Sequence, residues 1–229
     1  KKISEKFFCP QCQSNIHKND CSHSVTNELD EITGEVHKKR KYMPVLLNYS
    51  FRKKRYEKYF DESDWETFRK VQSMLLGDGV PKTPMMYKGE MWGETWRAGY
   101  HFGITHVHHF YYKRTLLILE YLYERCKKNC RLFFWFTSCL PKLNIMNRYM
   151  PQHGSRALVG PMSGTLYVAP LSVENNVIDQ FEFQLKKMVK INCADVGNCV
   201  STQSLANADN IPSNSIDYIF TDPPFGGNL

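Results

Sequence analysis

The 229-residue sequence lacks any long hydrophobic run, and this excludes one class of protein. A membrane-spanning helix needs about 20 consecutive apolar residues, whereas the aromatic run at 132–136 is far shorter. The charged start, followed by Phe7-Phe8-Cys9, does not resemble a signal peptide. The sequence therefore predicts a protein with no membrane partner.

The sequence also lacks the dense cysteine framework of small secreted domains. Its eight cysteines are scattered, and a chain of this length does not need disulfides to fold, which predicts a reducing, cytoplasmic setting. A hydrophobic content of 42% with 14% aromatic residues is typical of globular proteins rather than disordered ones. The net charge of +7 favours a polyanionic partner such as nucleic acid.

The most informative stretch lies near the C-terminal end. Residues 216–220 form a short β-rich apolar run after a polar turn, which predicts a buried strand of an α/β sheet. Asp222-Pro223-Pro224-Phe225 follows this run, and its prolines make a stiff loop because each fixes φ near −65°. An acid at the carboxyl end of a buried strand lies where open α/β sheets place ligand chemistry. The alternative is a turn that only caps the strand.

Asp-Pro-Pro-Phe after a hydrophobic strand resembles the catalytic motif of the amino-directed DNA methyltransferases, which methylate adenine N6 or cytosine N4 with S-adenosylmethionine. The resemblance implies that Asp222, Pro223, Pro224 and Phe225 are catalytic and that double-stranded DNA is the substrate. The Asp222 carboxylate and the carbonyl after Pro223 would each accept one N–H of the target amine, and Phe225 would stack on the extruded base. RNA and a protein glutamine are alternative substrates, because their amines share this chemistry.

Cys9-Pro10-Gln11-Cys12 has the spacing of a zinc knuckle, in which both thiolates bind one tetrahedral ion. The chain lacks a second Cys-x-x-C, so Cys9 and Cys12 are half of a site. Cys21 and His23 could complete it, although they are closely spaced; we favour a matching knuckle upstream of Lys1. Two free cysteines are the remaining explanation.

Two basic clusters are interleaved with tyrosine and phenylalanine and predict contacts with DNA phosphates. The alternative is a solvated charged surface. The first cluster is Lys38, Lys39, Arg40 and Lys41, and the second is Arg52, Lys53, Lys54 and Arg55.

His106, His108 and His109 form a further candidate metal site, because the first two would share one face of a strand. No acidic or cysteine partner lies close in the sequence, so we favour a role without metal. The stretch from 103 to 114 resembles, as a block, a segment of large multidomain bacterial DNA methylases that carry a zinc insertion.

The apolar spacing predicts helices starting at Asp61, at 115–128 and at 173–191, and strands at 43–49, 164–170 and 196–204. The aromatic run fits either a strand or a helix. The predicted fold is therefore α/β: residues 1–60 a zinc-ribbon-like, basic β module, residues 61–99 a helix with a loop-rich connector, and residues 100–229 a partial Rossmann-like methyltransferase domain.

The glycine-rich loop that would bind S-adenosylmethionine is lacking. The segment 160–164 contains two glycines but no apolar strand precedes it, and Gly226-Gly227 belongs to the Asp-Pro-Pro-Phe loop. We therefore expect the chain to be an internal piece of a longer polypeptide that supplies the cofactor site. The competing function is a non-catalytic zinc-ribbon module that binds nucleic acid.

Overall fold

The computed structural model of the chain describes residues 6–9, 11–17, 20–85, 103–150, 158–190 and 210–222. The chain divides into two compact units, Lys1–Ile191 and Asn192–Leu229. The elements below all belong to the first unit.

Antiparallel hairpins make up the β structure of the described residues. The pairs are β1 (Lys6–Phe8) with β2 (Asn15–His17), β3 (Val25–Leu29) with β4 (Val36–Arg40), β5 (Leu46–Phe51) with β6 (Lys54–Tyr59), and β7 (Arg148–Tyr149) with β8 (Leu158–Val159). Each pair is a separate two-stranded sheet. The chain is thus mixed α/β, but the described residues form neither a Rossmann-like parallel sheet nor a complete zinc ribbon.

Four α-helices lie in the described residues and confirm the predicted helical segments. They are α1 (Glu62–Ser73), α2 (Lys113–Cys126), α3 (Cys130–Cys139) and α4 (Val177–Met188). Asp61 is the N-cap of α1, since its carboxylate accepts the Asp64 amide hydrogen at 3.1 Å. The aromatic run belongs to α3 and is therefore helical. None of these helices is both long and apolar enough to cross a bilayer.

Two of the strand predictions have different outcomes. The strand predicted at 43–49 is present as β5, whereas the one predicted at 164–170 is wrong, because these residues form no ladder. Val168 and Ala169 are buried without strand pairing: Val168 is 3% exposed and packs with Ile104, Phe110 and Ile145. The segment 196–204 lies outside the described residues.

The principal core forms where α2, α3 and α4 pack together. Aromatic contacts connect the three helices: Phe136 of α3 lies 5.9 Å, centroid to centroid, from both Tyr123 of α2 and Phe181 of α4. The buried members are Leu119, Cys126, Phe136, Cys139, Leu143, Val177 and Phe181. Burial of each large side chain contributes about 1.5–3 kcal/mol, so this cluster accounts for much of the stability of the unit.

The β3–β4 hairpin is attached to the helical part through its turn and through β4. Ile32 in the turn packs with Val80 and with Leu116 of α2, and Lys113 forms an ion pair with Glu31 at 2.7 Å. Gly103 lies against β4 with φ +95°, where an added Cβ would be 2.0 Å from the Lys38 carbonyl oxygen. Only glycine fits this approach, which holds residues 103–110 beside the hairpin.

Candidate functional site

The segment that leads to the predicted catalytic loop is exposed. Within Asn192–Leu229 the structure describes residues 210–222, and Phe220 is 81% exposed. The prediction of a buried strand at 216–220 is wrong for the structure, because none of the described residues pairs with this run. Asp222 is exposed as well, whereas Pro223, Pro224 and Phe225 lie outside the described residues.

Cys9 and Cys12 lie in one tight loop between β1 and β2. The Cys9 amide donates to the Ser14 carbonyl at 2.9 Å, and the Gln13 amide donates to the Cys9 carbonyl at 2.9 Å. Gln13 has φ 56°, the left-handed conformation that turns the chain back into β2. The loop thus places both thiols on one turn of a hairpin, as a zinc knuckle requires.

The thiol of Cys12 is chemically suited to metal binding. A hydrogen bond with the Ser14 hydroxyl, at 2.9 Å, together with contacts to the Ser14 backbone and to Cys9, lowers its pKa to about 7. A thiolate is the form that binds zinc. Among the described residues, however, no third metal-ligating side chain joins Cys9 and Cys12 within ligand distance. The two cysteines therefore have the geometry of half a site.

The first basic cluster is only partly available for a ligand. Lys39 forms an ion pair with Glu28 of the neighbouring strand at 2.6 Å, and Arg40 is half-buried beside Tyr42. Lys38 and Lys41 are exposed. The β3–β4 hairpin therefore presents fewer accessible cations than its sequence suggests.

The second basic cluster is fully exposed at the tip of the β5–β6 hairpin. Phe51 pairs with Lys54, which leaves Arg52 and Lys53 as a two-residue loop with φ 47° and 65°. A type I′ turn needs positive φ at both positions, which usually selects Asn-Gly. Each side-chain-bearing residue in this conformation costs about 1–2 kcal/mol. The turn thus holds two cations in a conformation that an Asn-Gly pair would adopt with less strain.

The histidines of residues 103–110 meet an acid from a distant part of the sequence. Val107–Phe110 is a 3₁₀ helix rather than a strand, so the expectation that His106 and His108 share a strand face is wrong. Asp30, 8% exposed in the turn after β3, lies beside them. Its Oδ2 is 3.0 Å from His108 Nε2 and 3.2 Å from His109 Nε2.

Hydrogen bonds assign the protons of this Asp–His cluster, which we define as Asp30, His37, His106, His108 and His109. Nδ1 of His109 accepts the amide hydrogens of Thr105 at 3.1 Å and of His106 at 3.3 Å, so its proton is on Nε2 and points to Asp30. His108 also contacts Asp30, and an acceptor lies beside each of its ring nitrogens. Its Nε2 is 3.0 Å from Asp30 Oδ2, and its Nδ1 is 3.0 Å from the Pro81 carbonyl oxygen. His108 thus connects Asp30 to the Pro81 carbonyl.

The surroundings stabilise the ionised form of Asp30. Burial opposes ionisation, but hydrogen bonds from the Thr33 hydroxyl at 2.7 Å, from the Ile32 amide at 2.9 Å and from His108 outweigh it and hold the pKa well below its usual range. The pKa of His109 is lowered to about 4 by burial and by the neighbouring charges of His108 and His37. The cluster is therefore an ionised Asp30 carboxylate in contact with His108 and with a neutral His109.

The same cluster brings metal-ligand atoms together. One ligand atom each of Asp30, His106 and His109 lies within 4.8 Å of the others, which is the donor set of two imidazoles and a carboxylate found at transition-metal sites. A metal-bound histidine donates its second nitrogen's proton to an acceptor. Nδ1 of His109 faces two amide donors instead, so its hydrogen bonds favour the metal-free network.

Sequence reasoning missed Asp30, because it lies 78 residues before His108. The signal was a turn motif, Asp30-Glu31-Ile32-Thr33-Gly34, in which the Asp side chain bonds the backbone two residues on. That motif indicates a turn but not its partner.

Comparisons with protein-family models, with curated proteins and with solved structures find no match to this chain.

Proposed function

We propose that this chain is part of an S-adenosylmethionine-dependent DNA methyltransferase that modifies an exocyclic amine, adenine N6 or cytosine N4. The observation that carries the proposal is the sequence Asp222-Pro223-Pro224-Phe225 after an apolar run. Asp222 is exposed, so its carboxylate can reach a ligand. We also propose that the longer parent protein contains a Rossmann-like sheet and a zinc ribbon, which a structure of that protein would test.

Asp222 would act on the amine through hydrogen bonds. The lone pair of an aromatic amine is delocalised into the ring, and this makes the nitrogen a poor nucleophile. A carboxylate that accepts one N–H, with the backbone carbonyl after Pro223 accepting the other, favours a tetrahedral nitrogen whose lone pair is available. Phe225 would hold the extruded base by stacking.

The described residues do not fit the methyl donor. The glycines at 160 and 164 follow β8, which is antiparallel and spans only Leu158–Val159, so no glycine-rich turn follows a parallel strand there. The proposal therefore assigns the S-adenosylmethionine site to other parts of the parent polypeptide, which is the protein partner that it requires.

The test is transfer of a labelled methyl group from S-adenosylmethionine to double-stranded DNA by the full-length parent protein. Asp222→Ala should lower the rate about 10²–10⁴-fold, with much smaller changes in DNA affinity, because the interaction acts in the transition state. Asp217→Ala is the matched control, since Asp217 is an exposed acid of the same segment. Equal rates for the Asp222→Ala protein and its parent would show that the motif is a turn without a catalytic role.

A non-catalytic nucleic-acid-binding module is the second candidate. The exposed cations at the tip of the β5–β6 hairpin favour it. In that case DNA binding would be retained by the parent protein while methyl transfer is absent with every DNA tested.

A further inference from the structure

The β5–β6 hairpin concentrates positive charge. Residues 46–59 contain five cations, namely Arg52, Lys53, Lys54, Arg55 and Lys58, and one acid, Glu57, which gives a net charge of +4. Lys58 is occupied by ion pairs with Asp61 and Asp64, both at 2.8 Å. The four consecutive cations at 52–55 are exposed at and beside the turn.

The strand register also places aromatic rings together on one face. Tyr49 pairs with Tyr56, and Phe51 pairs with Lys54, so these four side chains project from the same side of the hairpin. The two tyrosine rings are stacked, with centroids 5.5 Å apart and 22° between their planes. Phe51 is 57% exposed and lies 5.2 Å, measured from its ring centroid, below the Arg52 guanidinium carbon. We call this side of the hairpin the aromatic face and define it by Tyr49, Phe51 and Tyr56.

Stability alone does not explain this combination. The aromatic face is exposed, with Tyr49 at 42% and Tyr56 at 40%, and the turn carries strained cations where Asn-Gly would be relaxed. Exposed rings bordered by cations match a ligand that has both flat apolar surfaces and regular negative charges. Unpaired nucleic acid has both, because each nucleotide supplies a base face and a phosphate. Double-stranded nucleic acid fits less well, because each base face in a duplex is covered by the adjacent stacked base pair. An acidic polypeptide also fits less well, because it has negative charges but no flat bases.

We propose that the aromatic face of the β5–β6 hairpin binds a single strand of nucleic acid, with unpaired bases stacked on its rings and phosphates held by Arg52 and Lys53 in the turn and by Lys54 on the same face. This activity is separate from methyl transfer and does not depend on Asp222. The phosphate contacts predicted for the second basic cluster would not distinguish a single strand from a duplex, whereas base stacking on the aromatic face predicts tighter binding of unpaired strands.

The test measures the fluorescence anisotropy of a labelled short oligonucleotide bound to the full chain. A single strand should bind more tightly than a duplex with the same number of phosphates. Phe51→Leu keeps an apolar side chain for strand packing but removes the flat ring, and it should weaken single-strand binding about 5- to 150-fold, the range for loss of one base–ring contact. The matched control is Tyr59→Leu: Tyr59 is 77% exposed and pairs with Leu46 on the opposite face, so affinity should not change.

A second variant separates charge from folding. Replacing Arg52-Lys53 by Asn-Gly removes two cations and supplies the residues that the turn prefers, so the hairpin should remain folded. The slope of log K against log salt should become shallower by about 1.4, because each phosphate contact on a single strand contributes about 0.7.

Two results would overturn the proposal. One is duplex binding as tight as single-strand binding, with both unchanged by Phe51→Leu; the other is equal competition by poly-glutamate at matched charge, which would identify a general polyanion surface. Either result leaves the methyltransferase proposal standing, and loss of methyl transfer in Asp222→Ala without loss of single-strand affinity shows that the two are independent.

Discussion

His109 should make the protein less stable as the pH falls from neutral to mildly acidic. Its neutral ring accepts two amide hydrogens at Nδ1 and donates to Asp30 at Nε2, so a second proton on Nδ1 would face the amide donors. Burial and the charges of His108 and His37 lower the pKa to about 4. In the unfolded chain the pKa is about 6.5.

The sign and size of the effect follow from these two pKa values. As the pH falls below about 6.5, His109 binds a proton in the unfolded chain but stays neutral in the folded chain. The free energy of unfolding therefore decreases until the pH reaches about 4, where His109 is protonated in both states, and then levels off. Between about pH 7.5 and about pH 5 this linkage amounts to about 2 kcal/mol. His37 adds to the loss, because burial lowers its pKa as well. Asp30 does not contribute in this window, since its depressed pKa removes stability only below about pH 4.

Urea denaturation monitored by far-UV circular dichroism across this pH range measures the effect. His109→Gln keeps a donor near Asp30 but cannot titrate, so its loss of stability between about pH 7.5 and about pH 5 should be smaller than that of its parent by about 2 kcal/mol. His17→Gln, outside the Asp–His cluster, should retain the full pH dependence of its parent. The same pH dependence in His109→Gln as in its parent, or stability that increases as the pH falls, would refute the assignment of a neutral His109.

Two further predictions concern the knuckle and the close approach at Gly103. In equilibrium dialysis the chain should bind zinc weakly. Cys12→Ser should abolish that binding, whereas His106→Ala should leave it unchanged. Chelator-resistant zinc binding that is lost in Cys21→Ser or in His106→Ala would contradict the interpretation of Cys9 and Cys12 as half of a site. Gly103→Ala should destabilise the chain by more than about 2 kcal/mol in the same urea assay, because positive φ is strained for alanine and the new Cβ meets the Lys38 carbonyl. Gly34→Ala, with φ +75° and nothing within 4 Å of its Cβ, should cost only the strain, and equal losses in both variants would show that the close approach contributes nothing.

Local signals predicted the helices well. Asp61 before an apolar-periodic segment identified the start of α1, and the spacing of Val177 and Phe181 identified the buried face of α4. These features depend on residues within a few positions of one another, so their physical causes are visible in the sequence.

Strands were predicted less reliably, because a strand needs a partner. Residues 164–170 and 216–220 have the composition of strands, yet no described residue pairs with either, and the first contributes Val168 to the core without a ladder. The same β-rich composition became β5 only where β6 follows after two residues. Composition therefore indicates where a strand can form, and pairing decides whether it does.

The sequence by itself determined the helical segments, the knuckle spacing, the basic clusters and the Asp-Pro-Pro-Phe motif, because each is carried by neighbouring residues. Tertiary structure alone decided which charges are accessible and which histidines share an acid. Lys39 is paired with Glu28 across a hairpin, and Asp30 reaches His108 and His109 because Gly103 lets two backbones meet. Contacts between residues far apart in sequence depend on how elements pack, and no local pattern encodes that packing.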